Sequence, residues 1–103
     1  MIEICNLRYE NVKFNYDVKV DRSSILGNKF YMKNECDRDL VCDKYEIYFK
    51  EQIEKNNIAF VNELRKLYLI HKTYGKLRLF CWCYPKRCHA ETIKKFLEQY
   101  IQE

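Results

Sequence analysis

Between Lys76 and Cys83 the chain reads KLRLFCWC, in which Leu77, Leu79 and Cys81 alternate with Arg78, Phe80 and Trp82. An extended segment that is largely apolar on both faces needs cover on both, so it belongs in the middle of a sheet with helices packed around it. A chain of 103 residues can build one such core and no independent second module. A single domain spanning residues 1–103 is therefore expected.

Other segments supply the partners of that strand. Ile2 and Ile4 start a short strand running to Leu7, and Tyr16, Val18 and Val20 alternate with Asp17, Lys19 and Asp21 as a second strand with one wet face. Asp21 to Asn34, DRSSILGNKFYMKN, is a long irregular loop in which Gly27 and Asn28 can take positive φ and Ser23 and Ser24 can bond nearby backbone. A helix beginning near Asn34 or Glu35 carries Leu40, Val41, Tyr45, Tyr48, Phe49 and Ile53 at helical spacing. A second helix follows Asn56 and Asn57 with Ile58, Val61, Leu64 and Tyr68 as its stripe, ending around His71 to Gly75. A last helix from about His89 to Gln102 presents Ile93, Phe96, Leu97, Tyr100 and Ile101 on one side. This order predicts a small α/β layer fold, a short and mostly parallel sheet flanked by about three helices. Its first and last strands lie adjacent and parallel through a helical crossover.

Composition narrows the function classes. Nineteen basic against 15 acidic residues give a net charge of +4, and the two signs are interspersed, which argues against a duplex nucleic-acid binder. No window holds eighteen apolar residues and the first residues do not form a signal peptide, so no membrane partner is expected. The expected location is the cytoplasm. Six cysteines are accordingly expected as reduced thiols. Cys5, Cys36 and Cys42 read as packing residues and His71 as a polar helix end.

The segment FCWCYPKRCH, Phe80 to His89, gathers three of those cysteines with the chain's one tryptophan and one proline. Cys81 and Cys83 share one face of the strand while Trp82 points the other way. Pro85 ends the strand, and Cys88 and His89 stand where the last helix starts. A strand carboxyl end beside a helix start favours an anion, and Lys86 and Arg87 add positive potential. Three chemistries fit the segment. Cys81, Cys83, Cys88 and His89 are zinc-ligand types, although their spacing departs from the usual pairs separated by two to four residues. Cys88 is a candidate nucleophile at a helix start, with His89 pointing about 100° away as its helical neighbour. In the third reading Cys81 and Cys83 are core residues, Trp82 packs under a helix, and Cys88 with His89 caps the last helix.

Three stretches, SSILGNKFYM, DRDLVCDKYEIYF and LRLFCWCYPKRCHAETI, together resemble a small domain family of unknown function widespread in phages and bacteria. Its pattern runs S-x-L-G-N-P-F, then an Arg-bearing helix with a Tyr, then L-x-C-x-C-x-P-x-x-C-H. The likeness covers roughly residues 16 to 101. The matching positions are Arg22, Leu26, Gly27, Asn28, Phe30, Arg38, Tyr45, Cys81, Trp82, Cys83, Pro85, Cys88 and His89, with Lys29 standing where the pattern has proline. The resemblance implies a site without naming its chemistry, and its phage setting points to nucleotides or host defence.

The functional expectation is a protein that binds an anionic, nucleotide-derived small molecule without turnover, and so sequesters a host immune signal. Its ligand-binding residues are Arg22, Ser24, Gly27, Asn28, Arg38, Trp82, Cys83, Pro85, Cys88 and His89. The Gly27–Asn28 loop and the 83–89 turn serve as two jaws. Arg22, Arg38 and a partly buried His89 would meet phosphate, and Trp82 or a tyrosine would stack on a base. No cofactor, resident metal or catalytic residue is assigned, and a homo-oligomer stays open. The alternatives are a nucleotide- or nucleoside-processing enzyme using Cys88 and His89 or a Cys/His metal site, and a protein-binding inhibitor of a host factor.

Overall fold

The chain was examined as a computed structural model, which describes residues 1–101. Three strands, β1 (Ile2–Asn6), β2 (Asp17–Lys19) and β3 (Leu77–Cys81), form one sheet in the order β1-β3-β2, and both pairings are parallel. A single 3-10 turn, Glu35–Asp37, leads into α1 (Arg38–Glu54), followed by α2 (Ile58–Tyr74) and, after β3, α3 (Ala90–Glu98). This is the small α/β layer fold expected, with the first and last strands paired directly.

β3 is central, and all five of its residues are buried. Leu77 and Leu79 are fully covered, and the core continues through Tyr45 and Phe49 of α1, Phe60 and Leu67 of α2, and Ile93 and Leu97 of α3. Phe49 meets Phe60 and Phe96 edge-on at centroid separations of 5.3 and 5.2 Å, which joins the three helices in one aromatic cluster. Helix ends follow local chemistry. The Asn57 side chain accepts the Phe60 N–H at the start of α2, and Gly75 closes that helix at φ 71°, a conformation that favours glycine.

Several expectations are corrected. Asp17, read as part of a wet face, is buried, because it lies opposite Arg78 of β3 and its carboxylate takes two guanidinium hydrogen bonds of 2.7 and 3.0 Å. Glu10 adds a third contact to Arg78 at 2.6 Å. Ile58 is exposed, since the Asn57 cap makes it the first residue of α2; the buried stripe is Phe60, Leu64 and Leu67. Leu40 is likewise exposed, at the first turn of α1. Gly27 and Asn28 are not in the positive-φ region, where only Asn56 and Gly75 lie among the described residues. β3 stops at Cys81, so Cys81 and Cys83 do not share a strand face, and Trp82 is 56% exposed instead of lying under a helix. α3 ends at Glu98, leaving Tyr100 exposed beyond it; Gln102, the expected helix end, lies outside the described residues.

Because the strands all run the same way, the chain leaves each at the same edge of the sheet. The 20–34 loop and the 82–89 turn, following β2 and β3, therefore emerge side by side.

Candidate functional site

The 20–34 loop is held by its own polar residues. Asp21 accepts the backbone N–H of Ser23 and is bonded by its hydroxyl, while Ser24 Oγ accepts the Leu26 N–H at 3.1 Å. A Cβ on Gly27 would stand 2.2 Å from the Asp21 carbonyl oxygen and 2.8 Å from Arg22 Cα, so the loop closes on itself only where position 27 lacks a side chain. Asn28 accepts the Phe30 N–H through Oδ1 and reaches the Val41 carbonyl through Nδ2. The buried Tyr45 hydroxyl donates to the Leu26 carbonyl at 2.7 Å. Together these bonds fasten the loop to α1, and the exposed Arg22 lies along the loop, where its guanidinium donates to the Asn28 and Phe30 carbonyls and lies 4.1 Å from the Tyr31 ring centroid.

The 82–89 turn is tied to the same N-terminal half of α1. Arg38 pairs with Glu35 and donates to the Arg87 carbonyl at 3.0 Å, and Lys86 reaches the same Glu35. Arg87 is surrounded by Asp39, Asp43 and Glu46. The turn meets the loop where the Trp82 indole N–H donates to the Asp21 carboxylate at 3.0 Å, which fixes an exposed ring plane.

A cleft of about 230 Å³ opens between loop and turn. It brings together Arg22, Asn28, Arg38, Trp82, Cys83, Cys88 and His89 from the sequence-derived set. Ser24 and Gly27 shape the loop behind it, and Pro85 stands apart in a shallow depression beside Ile4 and Cys5. Sequence reasoning missed Asp21, Tyr31, Met32, Val41 and Cys42 as lining residues, while Arg87, expected to add positive potential there, and Phe30, a motif position, also line it. Asp21 carried a usable signal, since it follows β2 at the strand's carboxyl end as Trp82 follows β3.

At the floor of the cleft lies a sulfur cluster. The Cys88 thiol, 3% exposed, lies beside the sulfurs of Cys81 and Cys83, and its Sγ lies 3.4 Å from His89 Nδ1. Hydrogen bonding from Cys88 and the adjacent Arg38 guanidinium outweigh burial and hold the half-buried Cys83 thiol down at about 5. Cys81 is lowered to about 7 by the Cys88 hydrogen bond, against its burial, with help from the N–H groups of Cys83 and Tyr84. Cys88 itself is pushed up, because the neighbouring Cys81 and Cys83 sulfurs and its burial both favour its protonated form. Cys83 is thus the sulfur that faces the cleft as thiolate, with Cys88 behind it as thiol.

His89 departs from the partly buried helix-start residue expected, being 7% exposed. Its Nε2 bonds the Val20 carbonyl, which can only accept, so the ring proton sits on Nε2 and Nδ1 faces Cys88 as an acceptor. Burial lowers its pKa, the Val20 carbonyl opposing and Arg22 reinforcing the effect. The two side chains meet, rather than diverging as helical neighbours do, because Cys88 precedes the helix and His89 is its cap residue. Among the described residues no group of three or more His, Cys, Asp or Glu side chains is arranged to hold a metal ion. No described helix is long and apolar enough to cross a membrane.

No curated protein and no solved structure matches the chain. A family model described as a domain of unknown function, DUF4326, matches residues 5–99, a span that takes in β2, β3, the loop, the turn and the cleft between them. The chain belongs to the DUF4326 family.

Proposed function

We propose that the cleft binds an anionic, nucleotide-derived small molecule and holds it without turnover. The observation that carries this reading is the pairing of Arg22 with Trp82 across one cleft. Arg22 spends two of its five N–H donors on main-chain carbonyls, and no carboxylate pairs with it among the described residues. Its charge and remaining donors suit a phosphate. Trp82 offers an exposed ring anchored by Asp21, which suits a base or another flat ring.

Arg38 and Arg87 have a different part in this reading. Their guanidinium groups are engaged by Glu35 and by Asp39, Asp43 and Glu46, so they brace the cleft wall and contribute less net positive charge. Both ring nitrogens of His89 are committed, and it supports the floor instead of meeting phosphate. The motif resemblance to a phage-borne family supports the finer reading that the ligand is a nucleotide-derived signal of host defence, removed by sequestration in the cytoplasm.

Isothermal titration against nucleoside mono-, di- and triphosphates and cyclic nucleotides tests the reading, with each mixture chromatographed afterwards to detect product. Saturable binding of at least one compound, returned unchanged, is expected. Arg22→Ala should weaken it about tenfold or more, the worth of a charge-assisted hydrogen bond. Folded protein that binds nothing on the panel would sink the idea, and a released product would move it to the enzyme class.

A further inference from the structure

The sulfur cluster has an asymmetry that anion binding does not use. Cys83 is half-buried on the cleft wall, Cys88 lines the same cleft but is 3% exposed, and His89 Nδ1 is 3.4 Å from Cys88 Sγ. We propose that Cys83 is a peroxide-reactive thiol and Cys88 its resolving partner, so that a hydroperoxide entering the cleft closes a Cys83–Cys88 disulfide.

The chemistry follows the order of the atoms. The Cys83 thiolate attacks the terminal oxygen of a hydroperoxide; an S–O bond forms, the O–O bond breaks, and the alkoxide or hydroxide that leaves takes up a proton. Arg38, which lines the cleft with Cys83, stabilises the thiolate before attack and the negative charge on the departing oxygen after it. The Cys88 sulfur then attacks the sulfenic sulfur: the S–S bond forms, the S–O bond breaks and water leaves. For that step Cys88 must lose its proton, and His89 Nδ1 is in place to accept it because Val20 holds the ring proton on the other nitrogen. The proton then passes to the departing hydroxide. One hydroperoxide is reduced to alcohol and water while two thiols become a disulfide, and an external dithiol restores them.

This inference does not depend on the cleft's anion ligand. It also differs from the sequence-based enzyme alternative, in which Cys88 is the nucleophile; here Cys88 is covered and the exposed partner strikes first.

Intact mass and tryptic mapping of the full chain after one equivalent of hydrogen peroxide at neutral pH test it. Trypsin cuts after Lys86 and Arg87, so Cys83 and Cys88 fall on separate peptides and their disulfide appears as a linked pair. The expected product is the chain less two hydrogen atoms, with fragmentation placing the link at Cys83 and reduction by a dithiol reversing it. Cys88→Ser should stop at a Cys83 sulfenic acid captured by dimedone, and Cys83→Ser should abolish the linked pair. Oxidation of the exposed Cys36 with Cys83 left reduced would overturn the proposal in the unmodified chain, whatever the variants do. So would a link carried by Cys81.

Discussion

At the level of single residues, the cleft depends on which sulfur holds a proton. Cys83 keeps its thiolate to about pH 5 because Cys88 and Arg38 both favour it, whereas the exposed Cys36 thiol donates to the Asp37 carboxylate. A low pKa also lowers intrinsic nucleophilicity, so the two effects nearly cancel in an alkylation rate near pH 7. The pH profile is the discriminating quantity. Iodoacetamide labelling of Cys83 should stay nearly flat from about pH 6 to 8, while an ordinary thiol loses about tenfold in rate per unit below its pKa. A Cys83 rate that falls in parallel with that of Cys36 would show that no thiolate is held. The sequence pointed elsewhere, since it marked Cys88 at a helix start as the candidate nucleophile. The inequality of Cys83 and Cys88 comes from three-dimensional neighbours, above all Arg38, which lies 45 positions from Cys83.

At the level of elements, β3 shows what a sequence can and cannot say about a sheet. Leu77, Leu79 and Phe80 made its central place legible, and the spacing of Val41, Tyr45 and Phe49 did the same for α1. The order β1-β3-β2 was less accessible, because the short strand Asp17–Lys19 carries few apolar residues and a buried charge looks like a solvated one until its partner is known. That partner is Arg78, and the pair fastens β2 to β3. Burial alone would raise the Asp17 carboxyl, but Arg78 and the N–H groups of Lys13 and Phe14 hold it down at about 2. Since the folded value lies below the unfolded one of about 4, the stabilisation is fully present above about pH 4 and is lost as pH falls toward 2. Asp17→Asn should cost about 3–5 kcal/mol in urea unfolding by leaving Arg78 short of its partner. It should also flatten the acid limb of the stability profile. A loss below about 1 kcal/mol with an unchanged acid limb would mean that the pair does not hold the edge strand.

At the level of the whole molecule, a parallel sheet sends the loop after β2 and the turn after β3 to one edge, and α1 serves as the common wall to which both are bonded. The sequence indicated the two jaws because Gly27, Asn28, Cys83 and His89 stood out in otherwise regular segments. It did not indicate Asp21 as the contact between them, since that role exists only once Trp82 is seen to reach across. The same contact supplies the most direct test of ligand binding. Trp82 is the chain's one tryptophan, so intrinsic fluorescence reports on the cleft without a label. Titrating the nucleotides of the calorimetric panel into the folded protein should change Trp82 emission saturably, at the same midpoint as the heat signal, and Arg22→Ala should shift that midpoint about tenfold or more to higher concentration. Emission that stays constant through a titration in which heat shows binding would place the ligand elsewhere on the molecule and contradict the assignment of this cleft.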